Sequence, residues 1–153
     1  MHNKDMKIYV IVDHGEGSVF HLTLMPAFRV DTEDQVNKFI DRVKNACFYF
    51  GPVITSNQGE QVFQGDDGEA IHVIEVLKSN QIGTMHDHLL RAAIDSGASL
   101  AVPEHHGDGY LPHVTGASME GENEPFNWIH VSRGTVDDEG VQGFETLFSY
   151  RMG

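Results

Sequence analysis

A single cysteine, Cys47, stands in 153 residues, which excludes an internal disulfide framework and any cysteine-rich zinc site. It sits in the apolar run Ala46-Cys47-Phe48, the setting of a small buried hydrophobe rather than of a nucleophile. Basic residues are also scarce: ten Lys and Arg stand against 23 Asp and Glu, for a formal charge of −13. The acidic excess is spread over both halves, so neither end is a basic arm or an acidic tail. Polynucleotide binding draws largely on phosphate neutralisation by Lys and Arg. The chain is therefore poorly built to grip long DNA or RNA, although a locally positive pocket can still hold a small anion. Long hydrophobic runs are missing too. Ile8–Val12 falls short of a signal-peptide core and far short of a membrane span, so a cytoplasmic protein without a membrane anchor is expected.

What is present is the composition of an ordinary globular domain, 40% hydrophobic and 22% charged, which excludes collagen, coiled coil and low-complexity chain. The length suits one domain over 1–153. Ile8–Val12 reads as a buried strand and Val19–Phe28 as a second one with period-two alternation. Asp31 or Thr32 caps a helix with the stripe Val36, Phe39, Ile40, Val43 and Phe48, stopped by Gly51-Pro52. Val53–Leu77 reads as two strands around Gly65-Asp66-Asp67-Gly68, and Met85–Ile94 as a second helix stopped by Ser96-Gly97. Residues 98–110 read as loop. Leu111–Ala117, Asn127–Val136 and Phe144–Tyr150 then supply three more strands, separated by Gly121–Pro125 and Asp137–Gly140. The order β-β-α-β-β, α-β-β-β has two halves of similar grammar, roughly 1–77 and 78–153. It predicts an α+β fold: pseudo-duplicated antiparallel sheet with both helices outside.

Ten histidines are a marked excess. His2 lies near the N-terminus, His14 in a Gly-rich turn, and His72 and His130 inside strands, where a solvated face is the simplest account. His86 and His88 flank Asp87 on a helix, where residues two apart point to different sides and make a poor pair of metal ligands. His105-His106 is a loop doublet with no third ligand at a sensible spacing. Surface positions are the expectation for all of these, and no metal site is expected.

His21 and His113 are different. Each stands two residues before a threonine, in Phe20-His21-Leu22-Thr23-Leu24 and Pro112-His113-Val114-Thr115-Gly116. Residues i and i+2 of a strand share a face. Each strand therefore presents an imidazole and a hydroxyl together, while Leu22 and Val114 turn the other way. Cleaving a phosphodiester needs a base to activate water or a ribose hydroxyl and an acid to protonate the leaving oxygen. Two imidazoles do both near neutral pH. The threonine hydroxyls donate to non-bridging phosphate oxygens, where charge builds in the transition state. One His-x-Thr is weak evidence; two, in matching places of a two-part chain, are much stronger.

With these motifs the sequence resembles the 2H phosphoesterase superfamily, named for two His-x-Thr/Ser motifs. That family includes 2′-5′ RNA ligase-like proteins, cyclic nucleotide phosphodiesterases and phage enzymes that destroy cyclic-oligonucleotide immune signals. The resemblance runs roughly from Ile8 to Phe148, and Pro112, directly before the second histidine, is a familiar family detail. Gly116 departs from the apolar residue the family often places after the second motif. The resemblance implies a bilobal, duplicated α+β fold with the four motif residues in a central groove. It also implies His21 and His113 as catalytic groups, Thr23 and Thr115 as phosphate-binding ones, and no cofactor.

Weaker candidates surround this set. Arg29 and Arg133 are scarce cations able to neutralise phosphate, against the plainer reading of ordinary surface arginines. Tyr110, three residues before His113, could stack on a base or be a packed loop aromatic. The expected function is hydrolysis of a small nucleotide phosphodiester: a 2′,3′-cyclic phosphate, a 2′-5′ linkage or a cyclic oligonucleotide signal. The alternative is a non-catalytic protein of the same fold that sequesters a nucleotide, with a histidine-rich metal protein a distant third. The partner in the first two is a small nucleotide or cyclic oligonucleotide; net charge speaks to solubility and not to oligomeric state.

Overall fold

A computed structural model describes residues 6–15, 21–64, 68, 70–100, 107, 110, 112–115, 125–136, 138–140 and 142–153. The chain runs β1 (Met6–Asp13), β2 (His21–Val30), α1 (Glu33–Cys47), β3 (Asn57–Gln64), β4 (Ala70–Val76), α2 (Asn80–Asp95), β5 (Ser99–Leu100), β6 (His113–Thr115), β7 (Trp128–Val136) and β8 (Gln142–Arg151). The strands form one antiparallel sheet in the order β3-β4-β6-β2-β1-β7-β8, with β5 pairing β2 off this path. The α+β class with two helices is as expected. The two halves of the chain interleave in the sheet, because β6 of the second half sits between β4 and β2 of the first.

Helix α1 begins where its local chemistry directs. The Thr32 hydroxyl accepts from Gln35 N–H at 3.2 Å, and Gln35 Oε1 accepts from the Thr32 and Asp31 N–H groups. This capping box, with Glu33 and Asp34 in the first turn, satisfies orphan donors at the positive end of the helix dipole. Thr32, not Asp31, is the cap. Val36, Phe39, Val43 and Cys47 then bury one face, and burial pushes the Cys47 thiol up to about 11, so it stays protonated.

Helix α2 starts five residues before the expected Met85. Ser79 caps it by accepting from Ile82 N–H at 3.2 Å, and Ile82 adds an extra turn to the buried stripe of Met85, His86, Leu89, Ala92 and Ala93. Gly83, a weak helix former, masked that turn in the sequence. The loop expected from residue 98 contains the two-residue β5, which pairs Leu100 with Phe28 and Ser99 with Arg29. Of the expected elements, residues 19, 20, 65–67, 69, 101–106, 108, 109, 111, 116, 117, 121–124 and 137 lie outside the described residues, His105 and His106 among them, as does His2.

Both helices pack on one face of the sheet. The core joins their buried stripes to alternate strand residues: Ile8, Val10 and Val12 of β1, Leu22 and Leu24 of β2, Ile74 and Val76 of β4, Val114 of β6, and Ile129 and Val131 of β7. Phe28 and Phe39 meet edge to face at 4.8 Å within it. Irregular register between Ile8 and Ile11 of β1 places Leu24 and Met25, consecutive residues of β2, both in the core. No helix of the described residues is long and apolar enough to cross a membrane.

Candidate active site

Because Leu22 and Val114 are buried beneath the helices, the strand period turns His21, Thr23 and His113 to the opposite face. The motif strands β2 and β6 are direct neighbours at the middle of the sheet, and their register places His21 across from Thr115 and Leu22 across from Val114. One step further along the same antiparallel register, His113 falls across from Thr23. Each histidine thus stands across the strand pair from the other motif's threonine.

Neighbouring strands complete this face. Asp13 of β1 pairs with His21, and Trp128 of β7 pairs with Asp13 on its other side. Beyond β6, Val73 pairs with Thr115 and Glu75 with His113. Ile11 and Val73 lie on this face and outside the main core, yet are only 8% and 2% exposed, so the floor between the polar groups is apolar and shielded. Burial lowers the proton affinity of His21 from its ordinary value; the Asp13 carboxylate opposes this and His113 reinforces it. The His113 ring is thus close enough to His21 to disfavour its charged form.

His130, expected on a solvated strand face, belongs to this face instead. Its side chain is 17% exposed, and Nε2 lies 2.9 Å from Asp13 Oδ1. A carboxylate only accepts, so Nε2 carries the proton; Nδ1 lies 2.6 Å from the Ser149 hydroxyl. Asp13 Oδ1 also accepts from Gly15 N–H at 2.9 Å. Gly15 needs its lack of a side chain: its φ is +104°, and a Cβ would come within 2.8 Å of the Trp128 ring. The Trp128 and His130 rings are parallel within 5° at 6.2 Å. Asp13, His130 and Trp128 are thus the residues of this face that sequence reasoning missed. For Asp13 the signal that could have found it is its place at the end of β1, where the Asp-His-Gly turn begins; His130 and Trp128 carry no such local signal.

His14 turns away from the pair, stacked on Phe126 at 4.3 Å with its Nδ1 2.9 Å from the Pro125 carbonyl. His72 and His88 are exposed, as expected.

His86 corrects the surface expectation outright, being fully buried. Its Nδ1 lies 2.7 Å from the Leu24 carbonyl and its Nε2 accepts from Gly107 N–H at 3.0 Å. Both bonds together require the neutral tautomer protonated at Nδ1. Tyr110 stacks on this ring at 4.0 Å, is 2% exposed, and donates its hydroxyl to the Thr23 carbonyl at 2.7 Å. Burial pushes the phenol well above its ordinary pKa. Of the two roles weighed for Tyr110, this is the packed aromatic: it braces the approach to the second motif against the first. Lys78 adds to the brace by donating to the Gly107 carbonyl at 2.9 Å, and Val76 N–H donates to the Pro112 carbonyl at 3.0 Å.

The two arginines are not brought to the pair. Arg133 pairs with Ile8, a core residue, so it lies on the helix side of the sheet, where it forms a two-pronged ion pair with Glu33 at 2.8 and 3.3 Å. Arg29 lies eight residues along β2 from His21, on the order of 25 Å away at the usual strand rise. Among the described residues no group of three or more His, Cys, Asp or Glu is arranged to hold a metal ion.

No protein-family model matches the sequence, and no curated protein matches it significantly. Its fold does have counterparts among solved structures. A crystal structure described as that of a phosphoesterase matches with a TM-score of 0.58 at 12% identity, covering 97% of this chain and 98% of the other. The E. coli LigT structure in apo form matches with a TM-score of 0.56 at 12% identity over the same shares of the two chains. LigT complexed with ATP matches at 0.57 and 12%. The chain therefore has the fold of LigT over nearly its whole length.

Proposed function

We propose that this protein is a metal-independent phosphodiesterase that hydrolyses a small nucleotide phosphodiester, by general acid and base catalysis from His21 and His113. The observation that carries this reading is the β2–β6 register, which sets His21 across from Thr115 on the face away from the helices. The fold counterpart LigT has been crystallised with 3′-AMP, NADP+, ATP and phosphate, which supports a nucleotide ligand. The candidates are a 2′,3′-cyclic phosphate, a 2′-5′ linkage and a cyclic oligonucleotide signal.

Burial and the neighbouring imidazole both favour neutral His21, which suits it to the base role in hydrolysis. It takes a proton from water as the water oxygen attacks phosphorus. The bond from phosphorus to the leaving ribose oxygen breaks, and His113, entering as the imidazolium, protonates that oxygen. The Thr23 and Thr115 hydroxyls donate to the non-bridging oxygens as charge gathers there. The two histidines exchange roles in the reverse direction. Proton transfers balance within the pair, so the scheme needs no metal.

The test is product analysis in EDTA with 2′,3′-cyclic mononucleotides, 2′-5′ oligoadenylate and cyclic di- and trinucleotides. Wild type is run beside His21→Ala and His113→Ala. Turnover of one panel member, lost by a factor of about 10² or more in both variants, is the expected result. Binding of a nucleotide without turnover favours sequestration, and activity only on restoring metal overturns the two-histidine reading.

A further inference from the structure

The face that carries the histidine pair holds a second polar array that the two motifs do not account for. Four neighbouring strands, β8, β7, β1 and β2, contribute Ser149, His130, Asp13 and His21 in that order. Ser149 and His130 are a cross-strand pair, as are Asp13 and His21, and the 2.9 Å bond from His130 to Asp13 joins the two pairs diagonally. Directly opposed side chains on antiparallel strands have Cβ atoms about 5 Å apart, so the Asp13 carboxylate lies within direct electrostatic reach of the His21 ring.

We propose that Asp13 is a positioning residue for His21, held in place by His130 and by Gly15 N–H, and that Ser149 in turn orients the His130 ring. The proposal rests on the reading of His21 as a proton-transfer group. Asp13 is 18% exposed at its side chain, and two donors converge on one oxygen, Oδ1. That fixation matters because an untethered carboxylate would turn toward water. A fixed one gives His21 a constant negative neighbour, and so favours the imidazolium that forms when His21 takes a proton.

Burial and His113 of β6 disfavour the protonated form of His21, and Asp13 of β1 favours it. Without Asp13 the carboxylate that offsets the first two is gone, and His21 becomes a poorer base. Chemically the device has the logic of a carboxylate beside an imidazole, with a second imidazole holding the carboxylate.

The test is an NMR titration of the histidine ring protons, with His21 assigned by comparison with His21→Gln. Asp13→Asn keeps the shape and an acceptor for Gly15 N–H while removing the charge. The expected result is a downward shift of the His21 midpoint. In a turnover assay the acidic limb of the pH–rate profile moves to lower pH, with a loss of about tenfold or more in kcat at neutral pH. His130→Phe, which removes the donor to Asp13, shifts the His21 midpoint the same way by less.

An unmoved His21 midpoint in folded Asp13→Asn overturns the proposal, as does an unmoved one in folded His130→Phe. These readings are independent of turnover. A shifted midpoint with no activity on any nucleotide would sink the phosphodiesterase reading and leave the Asp13–His21 coupling standing. Turnover with an unchanged pH profile in Asp13→Asn would do the reverse.

Discussion

Tyr110 donates its hydroxyl to the Thr23 carbonyl at 2.7 Å, so the segment leading into the second motif is tied to the backbone of the first. The same ring lies flat on His86, whose two nitrogens bridge the Leu24 carbonyl and Gly107 N–H. The spacing of the two motif strands thus rests on a buried hydrogen-bonded stack as well as on the ladder between β2 and β6. Tyr110→Phe removes one buried hydrogen bond and is expected to cost about 1 kcal/mol in urea unfolding. Tyr110→Ala also empties the stack and should cost about 3–5 kcal/mol. A ring serving only as a platform for a base would instead raise KM with stability unchanged.

The buried His86 predicts an acid-sensitive contribution to stability. Burial lowers its proton affinity in the fold, ahead of the opposing Leu24 carbonyl and Asp87. The folded state therefore favours the neutral ring more than the unfolded state does. The contribution is fully present above the unfolded value of about 6.5 and is lost as pH falls below it toward the lowered folded value. His86→Phe keeps an aromatic on Tyr110 but loses both hydrogen bonds, and should be about 1–3 kcal/mol less stable at neutral pH. The gap to wild type should narrow in acid. Denaturant unfolding at several pH values checks this, and a gap that stays constant would be inconsistent with a neutral buried His86.

Thr23 separates hydroxyl from strand-forming roles. Thr23→Val keeps β-branching and shape on the site face but lacks the donor, so kcat is expected to fall about 10²-fold with little change in unfolding midpoint. Thr23→Ser should recover most of that loss. Steady-state kinetics on the panel substrate, with circular dichroism to follow folding, distinguish this from a purely structural threonine, which would lose stability and keep kcat.

Arg133 predicts the opposite pattern. Its guanidinium is committed to Glu33 on the helix side of the sheet, and Glu33 is 60% exposed at its side chain. Arg133→Met is expected to cost no more than about 1 kcal/mol of stability and to leave kcat/KM unchanged. A large rise in KM would return Arg133 to the substrate site.

Local pattern alone identifies the strands that carry the motifs and the face their histidines take. In His21-Leu22-Thr23 and His113-Val114-Thr115 the alternation of polar and apolar residues has the period of a strand, and burial of Leu22 and Val114 leaves the other residues one face. It also determined α1, because a Thr32–Gln35 capping box and a 3.6-residue apolar stripe are local signals. The start of α2 was hidden because the extra turn depends on Ile82 finding the core, a tertiary fact that outweighs the poor propensity of Gly83.

Which histidines gain buried or paired partners depends on long-range packing. His86 and His130 have nothing in their immediate sequence to distinguish them from His72 or His88. What separates them is partners 62 and 117 residues away, Leu24 and Asp13, brought close by the sheet order. The same non-local pairing placed Arg133 on the helix side and Asp13 beside His21. Strand period tells which residues of one strand share a face. Which strand lies next to which is set by long-range packing, and that order determines which of those residues meet.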